Sequence, residues 1–262
     1  MLSCILEKIV VNKKKEIAYR KVKLPLDELK LRLEKVEPPR NFKGSVFCKK
    51  GISIIAEIKR FSPSAGVIRE NLDPSTFAKI YEENGASAIS VLTDKKFFGG
   101  SFDDLRKVKK ASNLPILAKE FILDEYQIYE ARAWGADAVL LIARILENEK
   151  LHKFCHIAQN LNLSCIVEIH SQEEVKLIQH LPPWVIIGIN NRDLSKFEVD
   201  LTTTERILSY LPKGRQIISE SGIRNISDMK RLKKLGITRF LMGEAILKSK
   251  SPAGKLRELL NG

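Results

Sequence analysis

An apolar run near residue 54 ends in two charged side chains of opposite sign. The segment 54–66 passes from isoleucine and alanine into Glu57 and Lys59, and then into a loop of serine, proline and glycine. Side chains two residues apart share one face of a β-strand, so this carboxylate and this ammonium are predicted to face the same space. Such a pair can move protons or hold a charged molecule. We therefore take this strand end as a candidate catalytic site.

The same arrangement recurs at four later apolar runs, each of which ends in ionisable or amide side chains. These side chains are Lys119, Glu168, the pair Asn190 and Arg192, and Glu220. Continuous apolar runs are typical of parallel strands buried on both faces. In closed barrels of such strands, the active site forms at the carboxyl ends. The polar strand ends therefore predict one shared site.

Two of these residues are candidates for proton transfer. Lys119 follows apolar residues only, a setting in which burial lowers the pKa of a lysine and a nearby carboxylate raises it again. It is a candidate general acid or a lysine that forms a Schiff base. Glu168, a candidate base, ends the fifth strand, roughly across the ring from the first. We expect Glu168 and Lys119 to act on opposite sides of one bound molecule.

Glycines after the last two strands indicate a phosphate site. Ser221 and Gly222 follow the seventh predicted strand, and Gly243 and Glu244 follow the eighth. Barrels often bind phosphate there, through backbone N–H groups and the start of a short helix. Each glycine alone could simply form a tight turn. Their occurrence together favours a phosphorylated small-molecule substrate.

Other side chains near the strand ends have less specific patterns. His152 and His156 lie four residues apart on a predicted surface helix without a third ligand, so we expect no metal site. His170 lies near the strand ends, and its pattern assigns it no task. Several apolar side chains either line a slot for a ring or belong to the core: Phe97, Phe98, Phe121, Leu140, Ile142 and Leu194.

Eight units of strand and helix must position these side chains. Strands are predicted near residues 52–58, 86–92, 114–119, 136–142, 164–169, 184–190, 215–219 and 237–242, with helical patterns between them. This alternation predicts a (β/α)8 TIM barrel, with an open doubly wound sheet as the alternative. Helices near 2–20 and 26–35 form an N-terminal helical extension. We expect one domain, with the extension at 1–48 and the barrel at 49–262.

Composition excludes several classes of protein. The net charge is +13, and the run Lys13 to Lys15 is predicted to be solvated. An RNA-binding protein is disfavoured because no stacking aromatics alternate with arginine. We expect no export leader, because Glu7 and Lys8 interrupt the apolar start. No apolar stretch reaches the ~18 residues of a membrane span. The cysteines Cys4, Cys48, Cys155 and Cys165 lack C-x-x-C spacing. We expect a cytoplasmic protein with reduced thiols and no membrane partner.

Taken in order, these segments resemble the indole-3-glycerol-phosphate synthase family of tryptophan biosynthesis. The similarity extends over nearly the whole chain, and its motifs lie at residues 5–10, 54–66, 90–93, 98–101, 119–122, 139–142, 168–170, 188–194 and 220–223. The resemblance implies a cofactor-free lyase that converts 1-(2-carboxyphenylamino)-1-deoxyribulose 5-phosphate into indole-3-glycerol phosphate, carbon dioxide and water. It leaves the earlier isomerase of that pathway as the alternative, although the first strand lacks the cysteine expected there.

The resemblance also implies a role for each site residue. Lys119 is similar to the general acid of ring closure and Glu168 to the base of dehydration, while Lys59 holds the substrate carboxylate and Glu57 tunes both lysines or shares in proton transfer. Ribulose hydroxyls are assigned to Asn190, Arg192 and Glu220, the phosphate to Ser62, Ser221, Gly222 and Gly243, and the anthranilate ring to the aromatic and leucine side chains, including Phe98, Phe121 and Leu140.

Two positions depart from the family pattern. Glu120 stands where aspartate is common, and its side chain is expected to point away from that of Lys119. Glu244 stands where serine is common and places a negative charge near the expected phosphate.

The loop after Lys59 is expected to cover the substrate. A monomer is expected, and association with other enzymes of the tryptophan pathway is left open.

Overall fold

The computed structural model describes residues 4–193 and 198–262. Its strands are β1 (Ser53–Ile58), β2 (Phe61–Ser62), β3 (Gly66–Val67), β4 (Ala88–Leu92), β5 (Ile116–Lys119), β6 (Ala138–Ile142), β7 (Ser164–Ile169), β8 (Ile186–Asn190), β9 (Ile217–Glu220) and β10 (Arg239–Met242). Its helices are α1 (Cys4–Lys23), α2 (Leu26–Leu33), α3 (Phe42–Phe47), α4 (Pro74–Glu83), α5 (Lys95–Phe98), α6 (Phe102–Ala111), α7 (Tyr126–Ala133), α8 (Asn148–Asn160), α9 (Val175–Ile178), α10 (Thr202–Leu208), α11 (Ile226–Lys233), α12 (Glu244–Leu247) and α13 (Pro252–Leu260), with a 3₁₀ turn at Ala143–Ile145.

Within these described ranges, eight parallel strands close into a barrel. Their order around the ring is β1, β4, β5, β6, β7, β8, β9 and β10, and β10 pairs with β1 through the register Ile54 to Phe240. The predicted (β/α)8 barrel is confirmed, and the alternative of an open doubly wound sheet is wrong. The short strands β2 and β3 form a separate antiparallel hairpin after β1.

Most barrel strands begin two residues later than predicted. Glycines with positive φ end three of the preceding helices, among them Gly85 (φ 88°) and Gly135 (φ 94°). The residue after each glycine still donates its N–H to a helix carbonyl, as Ala86 does to Tyr81 at 3.0 Å and Ala136 to Ala131 at 3.0 Å. These residues therefore belong to the helix ends rather than to the strands.

Helix α3, which the periodicity did not predict, closes the amino end of the barrel. Phe42 and Val46 are fully buried against side chains that fill the barrel interior. The hydroxyl of Ser45 donates to the carbonyl of Ser87, just before β4, at 2.5 Å. The guanidinium of Arg40 donates to the carbonyls of Ser112 and Leu114. With this end sealed, the barrel opens at the carboxyl ends of its strands.

Helix α1 lies at the carboxyl end, and one of its lysines is buried. Leu6, Ile9 and Ile17 are buried, and Lys13 lies on the same helical face with 1% of its surface exposed. Its ammonium contacts carboxylates that follow two barrel strands. The prediction that the whole lysine run is solvated is therefore wrong at Lys13, because this residue lies on the buried face of the helix.

Candidate active site

One cavity opens between the carboxyl ends of the barrel strands. Its volume is about 940 Å³, including the part open to solvent. Of the residues to which the resemblance assigns a role by name, every one except Glu220 lines this cavity, and Glu220 lies directly behind Lys119. The lining comprises Glu57, Lys59, Ser62, Phe98, Lys119, Phe121, Leu140, Glu168, Asn190, Arg192, Ser221, Gly222 and Gly243, together with side chains that the sequence did not single out, such as Ser64, Leu92 and Met242.

Lys119 is held between two buried carboxylates. Its Nζ lies 2.5 Å from Oε2 of Glu220 and 3.3 Å from Oε2 of Glu168. Burial alone would lower the pKa of Lys119, but the charges of Glu220, Glu168 and Glu57 outweigh burial and raise that pKa. Lys119 is therefore an ammonium at neutral pH, so the alternative of a neutral lysine that attacks a carbonyl is disfavoured.

The two carboxylates around Lys119 have pKa values that move in opposite directions. Burial raises the pKa of both, but Lys119 and His170 lower that of Glu168 far enough to keep it ionised. For Glu220, burial and the charge of Glu168 outweigh the attraction of Lys119 and raise the pKa to about 7. Like charges that share one site cannot both ionise freely. Of the two carboxylates, Glu168 is thus the one that stays ionised throughout the neutral pH range.

Glu168 and Lys119 lie closer together than the sequence suggested. They were expected on opposite sides of a bound molecule, yet their side chains are in contact. The reason is that only β6 separates β5 from β7, and the long lysine side chain spans this distance. A substrate that reaches both groups must therefore approach them from the same side of the cavity.

Glu57 and Lys59 form a second ion pair in the cavity, as their shared face of β1 predicts. Nζ of Lys59 lies 2.5 Å from Oε1 of Glu57, whose side chain is 4% exposed. Gly243 provides space for this carboxylate, since a Cβ there would lie 2.6 Å from Oε1 of Glu57. In the same way, a Cβ at Gly188 would collide with Oε1 of Glu220. Both glycines thus let backbone lie directly against a buried carboxylate.

Arg192 joins the loop after β1 to the end of β10. Its Nη1 donates to Oγ of Ser64 at 2.8 Å, and its Nη2 lies 3.5 Å from Oε2 of Glu244. Glu244 also pairs with Lys248 at 2.8 Å. The negative charge expected near the phosphate position is therefore present, and two cations partly balance it.

The turn after β9 has an unusual backbone. Ser221 has φ 64° and Gly222 has φ 78°, so both lie in the left-handed region that disfavours a side chain such as that of Ser221. Asn191 holds this turn through its amide group, which donates to the carbonyls of Glu220 at 3.0 Å and Ser221 at 3.1 Å. Its Oδ1 accepts from Thr204. Strained backbone of this kind concentrates at ligand sites.

An apolar wall faces these polar groups. The rings of Phe98 and Phe121 lie 5.8 Å apart between centroids, and Leu140 and Ile142 continue the wall. Phe97 does not belong to it, because the short helix α5 directs this side chain toward a shallow groove beside α1. Leu194, the remaining candidate, lies outside the described residues.

Comparison with known proteins decides the family. A family model described as Indole-3-glycerol phosphate synthase matches residues 6–259. The indole-3-glycerol phosphate synthase of Alkaliphilus metalliredigens is 43% identical over 258 residues, which cover 98% of each chain. That of Thermoanaerobacter pseudethanolicus is 46% identical over 244 residues, which cover 93% of this chain and 92% of the relative.

The chain belongs to the indole-3-glycerol phosphate synthase family. It is accordingly a decarboxylating lyase of tryptophan biosynthesis that acts on a phosphorylated small molecule. Solved structures add the fold alone: 3-hexulose-6-phosphate synthase from Salmonella typhimurium has a TM-score of 0.63 at 14% identity, over 80% of this chain and 97% of that one.

Three residues that position the site of this indole-3-glycerol phosphate synthase family member were not predicted from the sequence. Lys13 contacts Asp94 at 2.8 Å and Glu120 at 3.0 Å. These two residues follow β4 and β5, and Glu120 lines the cavity. The second residue is Gly188, which makes room for the carboxylate of Glu220, and the third is Asn191, which holds the turn after β9. The position of Lys13 on the apolar stripe of α1 was the signal available. Glu120 points toward Lys13 and away from Lys119, as expected.

Neither a metal site nor a membrane span is found in the described part of the chain. Among residues 4–193 and 198–262, no three His, Cys, Asp or Glu side chains lie close enough to hold a metal ion. The ring of His156 lies against Trp184 instead, with 6.2 Å between centroids. In the same ranges, no helix is long and apolar enough to span a membrane.

Proposed function

We propose that Lys119 and Glu168 carry out the proton transfers of the indole-3-glycerol phosphate synthase reaction in this chain. In that reaction an aromatic carbon of the 2-carboxyphenylamino group attacks the ketone of the deoxyribulose phosphate, carbon dioxide leaves, and a hydroxyl group departs as water. The observation that carries the proposal is the contact between an ammonium and an ionised carboxylate in the floor of the cavity.

Lys119 is the proposed general acid of ring closure. As the ring carbon attacks, the ketone oxygen gains negative charge and needs a proton. The ammonium of Lys119 can supply this proton without first being reoriented, because Glu168 and Glu220 already hold it in place. Its raised pKa ensures that the proton is present at neutral pH.

Glu168 is the proposed base of dehydration. Decarboxylation restores the benzene ring, and formation of the indole then requires removal of a proton from the new five-membered ring while its hydroxyl group leaves. The lowered pKa keeps Glu168 ionised and ready to accept that proton. Once Lys119 has regained from solvent the proton that it gave in ring closure, it can donate to the leaving hydroxyl group, so that one ion pair serves both sides of the elimination.

The remaining lining residues are proposed to hold the substrate. Lys59 is assigned to the substrate carboxylate, with Glu57 tuning both lysines, a role supported by its contact with Lys59 and its effect on the pKa of Lys119. The apolar wall is assigned to the ring. Asn190, Arg192 and Glu220 are assigned to the hydroxyl groups, and Ser62, Ser221, Gly222 and Gly243 to the phosphate.

Each cation of the cavity already has a carboxylate partner. Lys59 pairs with Glu57, Lys119 with Glu168 and Glu220, and Arg192 with Glu244. An anionic substrate must therefore compete with these carboxylates rather than meet free positive charge. The net charge of +13 then serves mainly to attract the substrate from a distance, an effect that salt screens.

A turnover assay tests the proposal. The parent protein should convert 1-(2-carboxyphenylamino)-1-deoxyribulose 5-phosphate into an indole product, followed by its absorbance. Glu168→Gln should lower kcat by about 10³-fold, the range of lost acid–base catalysis. Glu149→Gln, at an exposed position of α8, is the matched control and should leave kcat unchanged. Parent-like kcat in folded Glu168→Gln would remove the assigned base.

We further propose that the protein is a cytoplasmic monomer with the helical extension at 1–48 and the barrel at 49–262. Support for the compartment comes from Cys48, Cys155 and Cys165, whose thiols are free, as expected under reducing conditions. Light scattering of the purified protein tests the monomer. An association with other tryptophan-pathway enzymes is part of the proposal, and co-sedimentation with them is its test.

A further inference from the structure

His170 is a buried histidine just beyond the end of β7, and no step of the proposed reaction involves it. Its side chain is 1% exposed. Nε2 lies 3.1 Å from Oε1 of Glu168 on one side, and Nδ1 lies 3.6 Å from Oε2 of Glu174 on the other. The ring therefore fills the space between the proposed base and a second carboxylate.

Glu174 fixes this ring from behind. Its Oε2 accepts the backbone N–H of His170 at 2.8 Å, and its Oε1 accepts from Nε of Arg144 at 2.6 Å. Arg144 also lies 4.0 Å from Asp193. Glu174 is thus anchored by both the 3₁₀ turn after β6 and the turn after β7, and its carboxylate has little freedom to move away from the imidazole.

The charges around Glu168 are arranged on two sides. Lys119 reaches its Oε2 from the cavity side, with Glu220 behind that lysine, whereas His170 reaches Oε1 from the protein interior. Asn190 on β8 also favours the ionised form of Glu168. Burial alone would lower the pKa of His170, but Glu168 and Glu174 outweigh burial and raise it to about 9. The ring is therefore an imidazolium at neutral pH.

We propose that His170 is a positioning residue of the reaction, which holds Oε1 of Glu168 so that Oε2 faces the cavity and stays ionised when Lys119 turns toward the substrate. The inference rests on the proposed role of Glu168 as base. His170 transfers no proton in this account. Without it, Glu168 would lose its cationic neighbour whenever the substrate draws Lys119 away, and the carboxylate would be protonated at higher pH.

The test is the pH profile of kcat for three variants. In His170→Gln, which keeps a donor but removes the charge, kcat at pH 7 should fall about 10-fold because Glu168 is held less firmly. The acid limb of the profile should move up by about one pH unit because Glu168 loses a cationic neighbour. KM should change by less than about threefold, because His170 does not line the cavity. Glu174→Gln frees the far side of the ring but leaves it protonated at acid pH, so it should lower kcat at pH 7 without raising the acid limb. The adjacent exposed Glu173→Gln should change neither.

The outcomes separate this inference from the proposed function. A His170→Gln profile that superimposes on the parent's, while folded Glu168→Gln is inactive, would overturn the positioning role and leave the base assigned. Parent-like kcat in Glu168→Gln would remove the base and this inference with it. If His170→Gln does not fold, as judged by circular dichroism, kcat of folded Glu174→Gln at pH 7 decides: a loss supports the positioning role, and a parent-like value overturns it.

Discussion

Two buried lysines with similar partners differ in their access to the cavity of this barrel. Lys13 on α1 contacts Glu16, Asp94 and Glu120, and Lys119 on β5 contacts Glu168 and Glu220. In both, burial works against the charge, and the carboxylates outweigh it and raise the pKa. Both are ammonium groups in the interior of the protein.

What distinguishes them is access. The side chain of Lys13 is 1% exposed and touches the cavity nowhere, whereas that of Lys119 is 15% exposed and lines it. A buried ion pair without access can only hold segments together, here α1 and the ends of β4 and β5. A buried ion pair with access can exchange its proton with a ligand. Burial and charge alone therefore do not identify a catalytic lysine.

The largest expected effect is on catalysis at Lys119. Lys119→Met should lower kcat by about 10³-fold, since the proposed general acid is lost. Its unfolding free energy should fall less than that of a Lys13 variant, because water in the cavity reaches the remaining carboxylates and Glu220, with a pKa of about 7, can take up a proton. Turnover and urea unfolding measure both quantities. A kcat within tenfold of the parent's would place Lys119 beside Lys13 as a structural residue.

For Lys13, the main expected loss is in unfolding free energy rather than in kcat. Lys13→Met leaves Asp94 and Glu120 buried without their cation, and breaking such a pair costs about 3–5 kcal/mol of unfolding free energy. The neighbours Lys14 and Lys15 are exposed, so Lys14→Met is a matched control that should change stability by less than about 0.5 kcal/mol. Equal urea midpoints for the two variants would contradict the structural role of Lys13.

A third buried cation, His170, extends the comparison to the pH dependence of stability. Its pKa is raised from about 6.5 in the unfolded chain to about 9, so its contribution is complete below pH 6.5 and is lost as pH rises through 9. A shift of this size corresponds to roughly 3 kcal/mol. The stability difference between the parent and His170→Gln, measured by urea unfolding, should therefore shrink from pH 6 to pH 10. A constant difference would show that the imidazole is neutral throughout.

Gly188 tests how finely the partners of Lys119 are placed. Gly188→Ala introduces a Cβ that collides with Oε1 of Glu220, and the resulting displacement should lower kcat by about 100-fold. In a Glu220→Asp background, where the shorter side chain leaves room, the same change should have much less effect. Steady-state kinetics of the two single variants and the double variant provide this measurement. Equal effects in both backgrounds would mean that Gly188 acts elsewhere.

The smallest expected effect is at Glu120. Glu120→Asp shortens a side chain that contacts Lys13, Thr93 and the N–H of Phe121, so stability should fall by about 1 kcal/mol. Because this side chain points away from Lys119, kcat should stay within about twofold of the parent's. A larger loss of kcat than of stability would show that the two ion-pair groups are not independent.

The barrel and the polar residues that line its cavity could be predicted because they follow from local sequence patterns. Apolar runs define the strands, and a polar residue at the end of a parallel strand must face the same mouth as its counterparts. This principle is enough to bring Glu57, Lys119 and Glu168 together. It cannot supply distances across the ring, which is why contact between Lys119 and Glu168 was not foreseen.

Features that depend on packing between distant segments were not predicted. Lys13 interrupts an otherwise apolar helical stripe, but its partners Asp94 and Glu120 come from two loops whose approach no local pattern encodes. Gly188 resembles an ordinary strand glycine until the carboxylate of Glu220 is placed beside it. The direction of Phe97 depends on the one-turn helix α5, which is too short for periodicity to reveal.

The most direct test of the central claim, that one ion pair supplies both acid and base, is a double-mutant cycle in kcat on Lys119→Met and Glu168→Gln. The two residues act as a unit in this account, so the double variant should be no slower than about the slower single variant. If the two losses multiply in the double variant, Lys119 and Glu168 act independently, and the shared ion pair is not the catalytic device.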